Sequence, residues 1–471
     1  MIPIESVRKI LQAGLQRGSQ LSELYVEERE SFTLVFDDGK LEQAVRGNDR
    51  GGGVRVFYGD TAAYAYTDDL EEASLVEAAQ TASEAAVTSS AVRILVDLVH
   101  RESDLDFSAK RPLSEMDEQS KVDLLHQMDE AARRQSELVS QVRVGLVELH
   151  RGICIYNSDG VWAEDDRTFL EFRADITAQR NGTLQQIFAG IGAQKGLELM
   201  EIQSPIALAE NVAQSAVRML DTRPAPAGEM TVVITNGWGG VLFHEACGHA
   251  MEADFISKGT SAYSGLIGKE VASPLITAVD DGTIPGRRGS FRFDDEGTPS
   301  SRTVLIENGI LKDYMWDLTE ARRMNRESTG NGRRETFRHM PMPRMTNTYI
   351  DAGPHDPEEI VASVKYGLYV KNIGGGQADF ASGDFVFSVT EGYLIEKGKL
   401  TTPIRGATIV GNGPQILRQI DMVGSDLALD NGQGRCGKGQ WARVSVGQPT
   451  VRVPKLMVGG TDRVITGQMG A

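Results

Sequence analysis

The sequence predicts an α+β protein of two domains. Residues 1–222 read as an N-terminal antiparallel-rich α/β sandwich-like domain, and residues 223–471 as a C-terminal strand-dominated domain carrying one chemistry-bearing helix. Three observations predict this. Short β-branched and aromatic runs recur along the chain, with Asp38-Gly39, Asp159-Gly160 and Asn308-Gly309 at hairpin positions. The longer helical stretches lie mostly in the first half. A Pro/Gly segment, Thr222–Gly228, separates a helix from a strand and marks the boundary.

The first domain opens with Ile4, Val7, Ile10, Leu11 and Leu15 on one face of an amphipathic helix. Strands are expected over Glu23–Arg29, Ser31–Asp37, Lys40–Val45, Val54–Tyr58 and Thr61–Tyr66, with Gly51–Gly53 as a break. Helices over Glu71–Ala86 and Glu115–Gln135 follow. Strands return over Val139–His150, Ile153–Asn157, Phe169–Gln179 and Thr183–Gly190, and Ala207–Leu220 closes as a helix. The order helix, strands, helix thus occurs twice. His100, His126 and His150 are scattered and form no catalytic cluster.

In the second domain Met230–Thr235 reads as a buried strand. Asn236, Gly237, Gly239 and Gly240 turn it into a helix over Val241–Ala253. Ser257–Gly268 is small and polar, a candidate lid. Thr277–Pro285 and Gly286–Pro299 are turn-rich. Strands follow at Thr303–Glu307, Ile310–Met315, Phe385–Glu391, Gly392–Glu396 and Lys399–Pro403. A short helix sits near Gln415–Ile420, and Val444–Val451 and Val453–Val458 end in strand.

The net charge of -17 argues against direct nucleic-acid binding, because an acidic surface repels phosphates. No stretch approaches the ~20 apolar residues of a membrane span. Cys154, Cys247 and Cys436 are widely spaced and odd in number, which suits a reducing compartment. A cytoplasmic protein is expected.

The chemistry concentrates at His244, Glu245 and His249. Two imidazoles and a carboxylate this close suggest a metal site with its own base. Residues five apart on an α-helix diverge by roughly 140°. Convergence therefore requires a π-bulge, or an end to regular helix at Gly248. A third ligand is needed. Cys247, Glu252 and Asp254 lie nearby, and Cys436 is a distant candidate among glycines. Arg435 and Lys438 beside it would favour the thiolate.

His244-Glu-Ala-Cys-Gly-His-Ala-Met-Glu-Ala-Asp254, with the later Arg435-Cys-Gly-Lys-Gly-Gln440, resembles the TldD/PmbA family of metallopeptidases, once called modulators of DNA gyrase. Phe293–Gly297, Ser328–Arg333, Pro343–Thr348, Gly374–Gln377 and Ser388–Tyr393 match as well. The likeness is to the TldD branch and is dense from about residue 228 onward. It implies Zn²⁺ held by His244, His249 and Cys436, with Glu245 as the base. It also implies loose specificity for unfolded or short peptides, and a dimer with itself or with a PmbA-like subunit.

Within the matching stretches, Glu252 and Asp254 are candidates to orient a ligating imidazole. Asp295, Arg344, Asn347 and Gly375 are candidates to bind substrate or support the site. The mechanism expected is peptide hydrolysis by a metal-activated water, with Glu245 moving the proton. Two other readings stand beside it. One is a metal-independent cysteine hydrolase using Cys436. The other is a non-catalytic peptide-binding protein with a structural metal.

Overall fold

Period-two burial in the first half builds a single long-stranded sheet. The computed structural model describes residues 2–85 and 95–463. Helix α1 (Ile4–Leu15) leads into a meander of β1 (Leu21–Asp37), β2 (Lys40–Tyr58) and β3 (Thr61–Thr67), closed by α2 (Glu72–Glu84). Ala86, the last residue expected in that helix, lies outside the described residues. A two-residue strand, β4 (Val99–His100), precedes α3 (Glu118–Arg134). A second meander follows, β5 (Val139–Asn157), β6 (Val161–Arg180) and β7 (Thr183–Ala193), then the single turn α4 (Leu199–Ile202) and α5 (Pro205–Arg218). Antiparallel pairing of β1 with β5 joins the two meanders, with Tyr25 opposite Ile155. The order is β3-β2-β1-β5-β6, with β7 along one part of β6 and β4 along another.

All four long helices cover one face of this sheet. Leu24 and Val26 of β1 pack with α1 and α2, around Val7, Leu11, Leu75 and Ala79. Phe32, Leu34 and Phe36 pack with α3 and α5, around Leu125, Met128 and Val212. The alternate residues Glu23, Tyr25 and Glu27 point to the opposite face, where they meet the second half. Tyr25 packs with Phe337 there, and Arg334 donates to Glu23 at 2.8 Å.

Several strands expected as separate pieces run unbroken, notably β1, β2 and β5. Gly51–Gly53 is a strand segment, with Gly52 opposite Val26 and Gly53 opposite Tyr25. These glycines are needed for close approach. A Cβ on Gly51 would lie 2.2 Å from Phe337 Cε2, and one on Gly53 would lie 2.9 Å from the Phe337 carbonyl.

In the second half five strands close on themselves. Tyr366–Ala378 pairs with both Pro226–Ile234 and Asp384–Glu396. Val451–Gly459 and Ala407–Asn412 complete the ring. Beside it, Ala278–Asp281, Arg302–Glu307, Asn347–Ile350 and Ser445–Gln448 belong to a six-stranded sheet. Leu242, Phe243, Ala246 and Cys247 are buried in the core shared by both. The chain is thus mixed α+β and strand-rich.

Ala278–Asp281 falls in a stretch expected as turns. Acidic residues are depleted in strands, and two of these four are aspartates. Asp280 nevertheless accepts from Thr346 N–H, Thr346 Oγ1 and Thr348 Oγ1, each at 2.8 Å, and from Asn331 Nδ2 at 2.7 Å. Ser257–Gly268, the candidate lid, is anchored at its centre. Tyr263 is buried and its carbonyl accepts from the Tyr314 hydroxyl at 2.6 Å.

Gly53→Ala should therefore destabilise the protein by ~1–3 kcal/mol, the usual cost of overpacking. Gly152→Ala, where a Cβ meets nothing within 4 Å, should change stability by less than ~0.5 kcal/mol. Urea midpoints compare the two. Equal midpoints would mean that the glycine run is not a packing requirement.

Candidate metal centre

Strand Pro226–Ile234 delivers the chain to one tight turn, Gly237–Gly240, and then to a helical turn, Val241–Phe243. From His244 to Gly248 the helix widens to a π-turn, in which the His249 N–H donates to the His244 carbonyl five residues back. A last tight turn, His249–Met251, ends it. The widening turns both imidazoles to one side. Their centroids lie 5.1 Å apart, and their Nε2 atoms are 3.2 Å (His244) and 3.1 Å (His249) from Cys436 Sγ.

Gly248 matters through packing, since its φ is ordinary. A Cβ there would lie 2.5 Å from Met345 Sδ. Cys247 points into the core beside Tyr263, and burial pushes its thiol up to about 12. It takes no part in the cluster.

Cys436 sits on a hairpin of Arg435–Gly437 and Trp441–Arg443. Arg344, 1% exposed, donates to the Cys436 carbonyl through Nη2 and to the Gln440 carbonyl through Nη1, both at 2.7 Å. Burial alone would push the thiol up. The His249 and His244 rings outweigh it and hold Cys436 well below its ordinary value. Arg435 and Lys438, expected to favour the thiolate, go elsewhere: Arg435 faces Glu171 at 3.5 Å, and Lys438 turns to carboxylates behind His249.

Those carboxylates are Glu252 and Asp254. His249 Nδ1 lies 2.9 Å from Glu252 Oε2, so the ring donates there and presents Nε2 to the thiol. Lys438 Nζ donates to Glu252 at 2.7 Å, to Asp254 at 3.0 Å and to the Pro343 carbonyl at 2.7 Å. Burial would raise Glu252, but Lys438 and His249 hold it well below the usual carboxylate range. Burial likewise opposes charge on His249, yet Glu252 and Cys436 raise it to about 10. His244 Nδ1 is buried without a hydrogen-bond partner among the described residues. Glu245 Oε2 lies 3.8 Å from His249 Nε2, with 28% of its side chain exposed.

Asp295 and Asn347 are engaged in other networks. Asp295 accepts from Arg167 Nη1 at 2.9 Å and from the Arg334 N–H at 2.8 Å. Burial would raise it, and Arg151 and Arg167 bring it down to about 2. It joins the first sheet to the second half. Asn347 binds the Asp281 carbonyl, Ser290 Oγ and the Gly289 N–H. Gly375 is an exposed strand residue whose carbonyl accepts from Ser388 Oγ at 2.8 Å. One neighbour carries no sequence signal: the Phe380 ring lies 4.3 Å from that of His249 at 35°.

Models of the PmbA/TldA metallopeptidase match three consecutive stretches: domain 1 over residues 22–86, the central domain over 111–220 and the C-terminal domain over 227–460. A metalloprotease TldD homolog of Haemophilus influenzae is 40% identical over 95% of this chain and 94% of its own.

The chain belongs to the PmbA/TldD metallopeptidase family.

A zinc metalloprotease TldD homolog of Saccharolobus solfataricus is 33% identical over 53% of this chain and 56% of its own. The PmbA/TldD fold extends to distant solved structures. A Thermotoga maritima protein described as a modulator of a DNA gyrase superposes with TM-score 0.80 at 21% identity, covering 97% of this chain and 100% of that one. TldE of Thermococcus kodakarensis superposes with TM-score 0.77 at 19% identity, with the same coverage.

Lys438→Met strips the fully buried Glu252 of its nearest cation. We expect a loss of ~3–5 kcal/mol, the cost of breaking a buried ion pair. Adding Glu252→Gln should recover part of that loss. A double-mutant cycle by urea denaturation measures it, and additive losses would show the two side chains to be uncoupled.

Proposed function

We propose that the chain is a zinc-dependent peptidase acting on unfolded or short peptides with loose sequence preference. His244, His249 and Cys436 are its ligands and Glu245 is its general base. The observation that carries this reading is the convergence of two imidazole nitrogens and one thiol sulfur, all within 4.8 Å of one another, beside a solvent-touching carboxylate. The donor set fits the ion. Zinc favours thiolate and imidazole, and the second nitrogen of His249 already has its carboxylate. The names of the curated relatives support a metalloprotease, and one of them is named for zinc.

When bound, zinc supplies Lewis-acid polarisation and can bring the pKa of water down to about 7. The chain's own groups do the rest. Glu245 takes the proton as water attacks the peptide carbonyl, then returns it to the leaving amine, a role that typically contributes ~10²–10⁴-fold. Glu252 and Lys438 fix the tautomer and tilt of His249. Gly374 and Gly375 bulge out of the pairing between Ile373 and Gly376, which suits a peptide laid against a strand by main-chain bonds.

Cys436 is 1% exposed and enclosed by both rings, which disfavours a thiol nucleophile. A closed structural zinc site takes four protein ligands, whereas the group found among the described residues has three. The protein acts as a dimer, with itself or with a PmbA-like subunit. Three free cysteines are in keeping with the cytoplasm. Among the described residues no helix is long and apolar enough to cross a membrane.

Elemental analysis should find one zinc per chain in wild type and little in Cys436→Ala purified alike. Equal zinc in both would break the ligand set. Glu245→Gln should keep its zinc and lose at least ~10²-fold in peptide turnover. Full turnover in that variant would remove Glu245 as the base.

A further inference from the structure

Behind the Cys436 hairpin lies a cavity of about 200 Å³ whose lining includes eight arginines and a single carboxylate, that of Glu335. In a chain of net charge -17 such a concentration of positive charge is not background. Three of the arginines come from β1, β5 and β6, and three, Arg288, Arg333 and Arg334, from the second half. The last two, Arg435 and Arg443, face each other across the hairpin.

Three of the eight are satisfied by acids of the first sheet and its neighbour Asp295: Arg151 by Glu27, Arg334 by Glu23 and Arg167 by Asp295. The others are short of anions. Arg288, Arg435 and Arg443 share one carboxylate, Glu171, at 2.9, 3.5 and 2.9 Å, and Arg173 competes for it at 3.0 Å. Arg333 donates to the main-chain carbonyls of Met345 and Arg443. Arg29 is half-buried and makes no ion pair among the described residues. Burial, with Arg443 and Arg151 close by, pushes its guanidinium down from the ordinary value. Burial pushes Arg288 and Arg333 down to about 10. Guanidinia held so close are stabilised by an anion between them, most strongly beside those that are buried, Arg288 and Arg333. Their planar forks suit an oxyanion that accepts in pairs. Phe291 lies under Arg167 and Arg333, 5.0 and 5.4 Å from their guanidinium carbons, and keeps them in place.

We propose that this cavity is a binding site for a compact, multiply charged oxyanion, which bridges the Cys436 hairpin to the first sheet through Arg29, Arg435 and Arg443. Inorganic phosphate and the clustered carboxylates of an acidic peptide present the same chemistry. The site is separate from the metal cluster, since Arg435 and Cys436 are strand neighbours and point to opposite faces of the hairpin. It goes beyond the peptidase reading, and its test reads binding rather than turnover.

The experiment is isothermal titration of the full chain with inorganic phosphate, in chloride buffer at constant ionic strength. Saturable binding of one phosphate per chain is expected. Arg29→Ala and Arg435→Gln should each weaken it at least tenfold, and Arg46→Ala, a surface arginine paired with Glu118, should leave it unchanged. If either variant melts earlier than wild type without phosphate, Arg29→Lys, which keeps charge but loses the fork, should show the same weakening. N-acetyl-Gly-Asp-Glu-amide then separates the sources. Displacement of phosphate by the peptide assigns the site to peptide carboxylates, and phosphate binding without displacement assigns it to the free ion. No saturable heat from either probe, or wild-type affinity in the Arg29 and Arg435 variants, would overturn the proposal.

Discussion

Two histidines five residues apart face one point only if the helix between them widens, and the second half is arranged around that widened turn. A π-turn is less favourable than α-helix and persists where its surroundings hold it. Here they do so by backbone contact. A Cβ on Gly413 would lie 2.3 Å from the Ala246 carbonyl, inside the π-turn, and a Cβ on Gly248 would meet Met345 Sδ. Cys247 fills the core side of the same turn. The distortion is thus clamped from the core, and the polar side is left to His244, His249 and Glu245.

Pro343–Thr348 makes the clamp rigid. In six residues it bonds to Lys438, to the Cys436 hairpin and to Glu252 around the centre, and to Asp280 beside it. The Pro343 carbonyl accepts from Lys438, Arg344 grips the hairpin of Cys436, the Met345 N–H donates to Glu252, and Thr346 and Thr348 satisfy Asp280. Glu252, Asp280 and Arg344 are buried, and leaving one unpaired would cost ~1–3 kcal/mol or more, since they are charged. The segment therefore tolerates few arrangements, which is what a site held to fractions of an ångström requires. Of the two roles its arginine and asparagine could take from sequence, their contacts are those of support: Arg344 holds the Cys436 hairpin and Asn347 the Asp281 and Gly289 backbone.

The same ambiguity sets how much was legible beforehand. The convergence of the two rings was legible, because the spacing of His244 and His249 admits few geometries that converge. The helices of the first half were legible from their periodicity, and the repeated helix–strands–helix order appears as two meanders in one sheet. The long strands were not, because Glu30 and Gly51–Gly53 look like interruptions, and the glycines make sense only once Phe337 of the second half is seen to pack on them. Ala278–Asp281 was hidden because an aspartate inside a strand makes sense only once Thr346 and Thr348 supply its donors. Asp295 was a candidate only through the stretch Phe293–Gly297 that resembles the family, and its ion network with Arg167 and Arg334 could not be read from the sequence. Phe380 carried no signal at all, since its contact with His249 is made by the fold and not by any local pattern.

Buried ion pairs are weak evidence for stability, because desolvation offsets most of the attraction, but they are demanding about geometry. One group of them, centred on Glu171, joins the first sheet to the hairpin of the thiol ligand. Glu171 on β6 holds Arg435, immediately before Cys436, and Arg443, opposite Arg435 on the other strand of the hairpin. The Gly192 N–H of β7 bonds the Asn431 carbonyl at 2.8 Å, and Arg288 ties the Gly432 and Gly434 carbonyls to Glu171. The histidines are therefore placed by the second half alone, whereas the cysteine is placed by a hairpin registered on the first. The first sheet supplies none of the two rings and the thiol, yet through Glu171 it takes part in placing the thiol beside them. Loosening the sheet from the hairpin would separate sulfur from nitrogen while leaving the widened turn intact.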